Sequence, residues 1–106
     1  MSETLPDDAA GSGAGETTVR VRITGRVQGV WFRGWTVETA QDLGLDGWVR
    51  NRADGSVEAV FQGAEETVAR MIAACHDGPP AARVTQVTRA AEPPLTEPGF
   101  RQIATL

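Results

Sequence analysis

The stretch D-G-W-V-R-N-R-A-D-G-S-V-E-A-V-F-Q, residues 46–62, holds two strand-like runs on either side of an Asp54-Gly55 pair. Asp-Gly readily adopts the positive φ angles that a tight turn between right-twisted strands requires, so it is a strong hairpin signal. Residues 46–52 and 56–62 are therefore predicted to be paired antiparallel strands. Asn51 interrupts the first of them. Asparagine is a poor strand former whose side chain competes for nearby backbone groups. Between Arg50 and Arg52 it either begins the turn early or faces a site that needs an amide.

Helical spacing brackets this hairpin. Upstream, Phe32, Thr36, Ala40 and Leu43 recur on one face, and Gly44 stands where a helix would stop. Downstream, Val68, Ile72 and Cys75 fall at i, i+4 and i+7 before D-G-P-P prevents continuation. Beyond the helices the period changes to two. Val19, Val21 and Ile23 alternate with Arg20, Arg22 and Thr24, as in a half-buried strand. At the other end, residues 83–88 read as a strand, followed by a Pro-rich link over 92–99 and a terminal strand over 100–105.

The order β-α-β-β-α-β plus a C-terminal strand is an α+β, ferredoxin-like arrangement, an antiparallel sheet with two helices on one face. Its first and second strands run parallel with the third between them, so their C-terminal ends share one edge. The loop after the first strand is thereby expected near Asn51.

At 106 residues and 11.3 kDa the chain is sized for a single core without disulfide or metal staples. Its lone Cys75 cannot close an internal bridge, no apolar run approaches the roughly 20 residues of a bilayer span, and M-S-E-T-L-P-D-D lacks the character of a signal peptide. A soluble cytoplasmic monomer is the expectation, with neither membrane nor nucleic-acid partner. Residues 1–16 hold Glu3, Asp7, Asp8 and Glu16 and no base, which accounts for the whole formal charge of -4. Small and acidic, they read as a disordered extension before a domain over 17–106. The G-S-G-A-G within them follows no strand and opens no helix, which argues against a nucleotide loop. From residue 17 onward ten arginines balance ten acids. Arg20, Arg22, Arg26, Arg33, Arg50 and Arg52 concentrate positive charge in the first half, which would draw a small anionic ligand there.

The loop in question is G-R-V-Q-G-V-W-F-R, residues 25–33. Glycines can turn consecutive N–H groups toward one point, and a helix that starts just after adds free amides and its positive end. Together these would form a phosphate-sized cradle, with Arg33 placing its planar fork over the same point. The alternative is an ordinary strand-to-helix turn with a solvated arginine. His76, at the end of the second helix, reads as solvated and Cys75 as core, and no Cys/His cluster has metal-ligand spacing. An enzyme built this way needs a substrate that requires no protein base, nucleophile or metal. Acyl phosphates qualify, because their carboxylate leaving group is a weak base and phosphoryl transfer asks mainly for positioning and charge stabilisation.

These residues resemble the acylphosphatase family through two motifs, G-R-V-Q-G-V-W-F-R at 25–33 and G-W-V-R-N-R-A-D-G-S-V-E at 47–58, within a likeness over roughly 18–105. The resemblance implies metal-free and cofactor-free hydrolysis of the carboxyl–phosphate bond. It assigns phosphate binding to Arg33 and water orientation to Asn51, and the phosphate loop to Gly25, Arg26, Val27, Gln28, Gly29, Val30 and Trp31. Gly34, a weak helix former, departs from a good first turn. Two other readings share the topology: an RNA-binding domain that stacks bases on sheet aromatics, and an idle module that binds acyl or carbamoyl phosphate for a partner.

Overall fold

The structure, a computed structural model, describes residues 16–106. The elements are β1 (Glu16–Arg26), α1 (Phe32–Asp42), β2 (Asp46–Asn51), β3 (Val57–Ala64), α2 (Glu65–Cys75), β4 (Arg83–Ala91) and β5 (Phe100–Gln102). The acidic extension lies outside the described residues except for Glu16, which opens β1 and pairs with Ala64 of β3.

Alternation in β1 does what its period requires. Val19, Val21 and Ile23 are buried against the helices, while Arg20 and Arg22 reach the other face. Opposite them in register stand Phe61, Ala59 and Val57 of β3, also buried. Phe32 and Ala40 of α1 and Val68, Met71 and Cys75 of α2 join the same cluster, so both helices cover one face of the sheet. Each large apolar side chain fully withdrawn from water contributes about 1.5–3 kcal/mol, and this cluster is the main source of stability. One polar residue sits within it. Thr36 is satisfied by donating its hydroxyl to the Phe32 carbonyl at 2.8 Å.

The sheet order is β4-β1-β3-β2-β5. Both β1 and β2 pair antiparallel to β3, so they run parallel and end at the same edge. The added strand runs the other way from its neighbours' habit: β5 pairs parallel with β2, which makes the sheet mixed at that side. β4 continues to Ala91, beyond the expected end at Thr88, because it follows β1 back toward its start. β5 is shorter than its reading, although Ile103 and Leu106 still donate backbone hydrogen bonds to the Val49 and Asn51 carbonyls, at 2.9 and 3.2 Å.

Phe61, the aromatic of the third strand, faces the helices and stacks on Phe100 with centroids 5.5 Å apart. It offers no surface to a nucleic-acid base.

Candidate active site

The loop between β1 and α1 is held from beneath. Val27 and Val30 are 1% and 8% exposed, so their side chains pin the turn to the core while the backbone between them stays outside. Gly29, at φ 74°, and Trp31, at φ 68°, are both left-handed and curl the chain into the helix. Trp31 caps α1 without any side-chain hydrogen bond, and the first turn contains no acid. The amides of that turn therefore have no intrahelical partner, and the helix dipole presents its positive end there.

Asn51 reaches this point by strand parity as well as topology. Val49 and Asn51 share the helix-side face of β2, whereas Trp48 and Arg50 face away. The hairpin is tied to the loop directly. Gln28 donates from Nε2 to the carbonyls of both Arg52 and Ser56, at 2.8 Å each. On its outer side Asn51 accepts the Leu106 amide, and the Leu106 carbonyl accepts from Ala53 at 2.9 Å.

These elements enclose a concavity of about 120 Å³. Val27, Gln28, Gly29 and Trp31 line it from the loop, Phe32, Arg33 and Gly34 from α1, and Asn51 and Gln102 from β2 and β5. The lining holds one fixed positive charge and no side chain that titrates near neutrality. Its donors suit a small anion, and of its three amide side chains Asn51 and Gln102 can orient a water, while the Gln28 amide nitrogen is engaged by the Arg52 and Ser56 carbonyls.

Three residues of the expected loop are absent from this lining. Gly25 still pairs with β4 at a register shift, where a Cβ would sit 2.2 Å from the Arg83 carbonyl oxygen; its glycine serves close strand approach. Arg26 pairs with Arg83 and borders a separate concavity beside His76 and Asp77. Val30 is a buried anchor. Conversely, Gly34 and Gln102 line the site without having been singled out for it. Gly34 is bare for a steric reason: a Cβ there would lie 2.2 Å from the Trp31 indole nitrogen. Gln102 carried no local signal, because only the parallel pairing of β5 with β2 brings it alongside.

A family model described as Acylphosphatase matches residues 19–102. The chain belongs to the acylphosphatase family. It is 62% identical over 87 residues to an acylphosphatase of Rhodospirillum rubrum, across 80% of this chain and 93% of that one. An acylphosphatase of Rhizorhabdus wittichii is 55% identical over 87 residues, covering 82% and 88%. The solved structure of an acylphosphatase from Coxiella burnetii superposes with a TM-score of 0.81 at 33% identity, covering 85% and 95%. This acylphosphatase-family chain is accordingly a hydrolase with an α+β, ferredoxin-like fold.

The positive charge expected to favour an anion divides between the two sheet faces. On the open face, Glu58 is only 3% exposed, and Arg50 Nε and Arg52 Nη1 reach its Oε1 at 2.8 and 3.2 Å. Arg20 and Arg22 approach its other oxygen at 3.9 Å each. Arg20 also reaches Glu92 at 3.6 Å and Arg22 reaches Asp54 at 3.2 Å. Each of those four arginines is thus engaged by at least one carboxylate, whereas Arg33 has no ion pair with any described residue. Asp54 itself folds the turn. Its carboxylate accepts from the Ser56 hydroxyl and amide, and these bonds hold its pKa below the ordinary 3.8.

Cys75 is fully buried, and burial pushes its thiol up to about 12, so it is no nucleophile. Among the described residues no group of three or more His, Cys, Asp or Glu could hold a metal ion, and no helix is long and apolar enough to cross a membrane.

Proposed function

We propose that the chain hydrolyses acyl phosphates to carboxylate and inorganic phosphate. The phosphate sits over the amides of the loop and the first turn of α1, and Arg33 closes over it with two N–H donors. Asn51 holds the attacking water in line with the phosphorus. As the water oxygen bonds to phosphorus, the bond to the carboxylate oxygen breaks and the carboxylate leaves with the electron pair. A phosphate oxygen of the substrate takes the water's proton, so no protein base takes part. The developing negative charge on the equatorial oxygens is met by fixed donors that need no reorganisation.

One observation carries this reading: Arg33 and Asn51 line one small concavity over an uncapped helix N-terminus, with no competing carboxylate in its wall. Neither metal nor cofactor is required by such a step, and one chain, free in the cytoplasm, suffices for it.

Continuous hydrolysis of acetyl phosphate by the full chain, with Arg33→Ala alongside, tests the proposal. Turnover that survives exhaustive chelation and collapses in the variant is expected. Loss of activity on chelation would overturn the metal-free account. Absence of wild-type turnover with retained phosphate binding would favour the idle module instead.

A further inference from the structure

Trp31 is badly chosen for stability. It is 59% exposed, which leaves most of a large apolar side chain in water. It is also the one residue other than glycine with a positive φ among the described residues, a conformation that strains any side chain with a Cβ. Glycine would make the same turn without strain. Yet the indole has a defined neighbour. It lies against the bare Cα of Gly34, where a Cβ would approach Nε1, Cε2 and Cδ1 to 2.2, 2.4 and 2.9 Å.

Trp31 and Gly34 both line the concavity that contains Arg33 and Asn51. Phe32, the other aromatic in its wall, is 1% exposed and turned into the core. An acyl group leaving a phosphate held beneath Arg33 therefore meets one exposed aromatic face. We propose that the Trp31 indole is the acyl subsite, selecting acyl phosphates with a flat aromatic acyl group over those with a small aliphatic one. This rests on the hydrolysis proposed above. Covering roughly 50 Å² of apolar surface corresponds to about an eightfold preference, and the pre-set indole position limits the ordering that binding would otherwise demand.

The test compares kcat/KM for benzoyl phosphate and acetyl phosphate in the wild-type chain, Trp31→Gly, Trp31→Phe and Gly34→Ala. Both substrates carry the same phosphate, so their ratio cancels any change in the cradle itself. The benzoyl-to-acetyl ratio should fall about five- to tenfold in Trp31→Gly and be largely retained in Trp31→Phe. Gly34→Ala places a methyl where the indole lies and should lower the ratio in the same direction; it decides the matter should Trp31→Gly fail to fold. An unchanged ratio in a folded Trp31→Gly overturns the subsite while leaving the hydrolysis intact. A wild-type chain that turns over neither substrate removes the hydrolysis and the subsite together.

Discussion

Two sets of arginines stand on opposite sides of the same sheet. On the open face four of them converge on Glu58, so each is engaged by at least one carboxylate. At the start of α1 a single arginine, Arg33, borders a concavity with no carboxylate in its lining. The richer cluster is the poorer anion site. What matters to a ligand is a fork without an ion pair among the described residues beside free backbone amides; strand parity sends Arg20, Arg22 and Arg50 to the open face, while Arg33 takes that position from the first turn of α1.

The comparison is broken most severely at Arg33. Arg33→Ala is expected to lower kcat/KM by about 100- to 1,000-fold, the range seen when a single transition-state donor is lost. Arg33→Lys should fall nearly as far, because an ammonium is a point charge and cannot present a bidentate fork. Arg50→Ala, on the open face, should leave turnover close to wild type in the same assay.

Glu58 inverts the pattern. Glu58→Gln should destabilise the fold by about 3 kcal/mol in urea unfolding, since removing one partner of a buried ion pair leaves uncompensated charge. The value lies at the low end of that range because the surrounding arginines are partly exposed and screened by water. Turnover per folded molecule should change little. A large fall in activity with unchanged stability would mean that the two faces are coupled.

Asn51 sharpens the contrast between holding a phosphate and placing a water. Asn51→Ala should depress kcat by about 10- to 100-fold with a much smaller change in KM, because water placement acts in the transition state. Near-normal kcat would remove Asn51 from the proposed mechanism.

The smallest expected effect lies at Asp54, in the hairpin that joins the two regions. Its folded pKa is below the ordinary 3.8 through the bonds from Ser56. The resulting stability is present above 3.8 and is lost as the pH falls through the lowered folded value. Between pH 5 and pH 2, at otherwise equal conditions, the urea midpoint of wild type should drop more steeply than that of Asp54→Asn. Parallel profiles would show that the turn does not depend on the ionised carboxylate.

Much of the fold was legible because its signals are local. The alternation of Val19, Val21 and Ile23, the Asp54-Gly55 turn and the helical spacing around Thr36 and Val68 each lie within a few residues. The parallel pairing of β5 was not legible, since nothing near Gln102 states which strand it will join. The site followed the same division. Arg33, Asn51, Val27, Gln28, Gly29 and Trp31 line the concavity as motif members, whereas Gly25, Arg26 and Val30 belong to a strand edge, a separate hollow and the core. Gly34 is a weak helix former by propensity, and only the indole packed against it gives the missing side chain its reason.

By itself, then, the sequence determined the elements, their order and a short set of residues that could bind phosphate. Periodicity and turn chemistry are properties of neighbours along the chain, so they survive without a structure. Tertiary structure alone decided which arginines neutralise a carboxylate and which one faces the cradle, and where a tryptophan rests on a glycine. Those outcomes depend on pairing across distances as long as Arg22 to Asp54 and Asn51 to Leu106, where only the completed sheet brings the partners together.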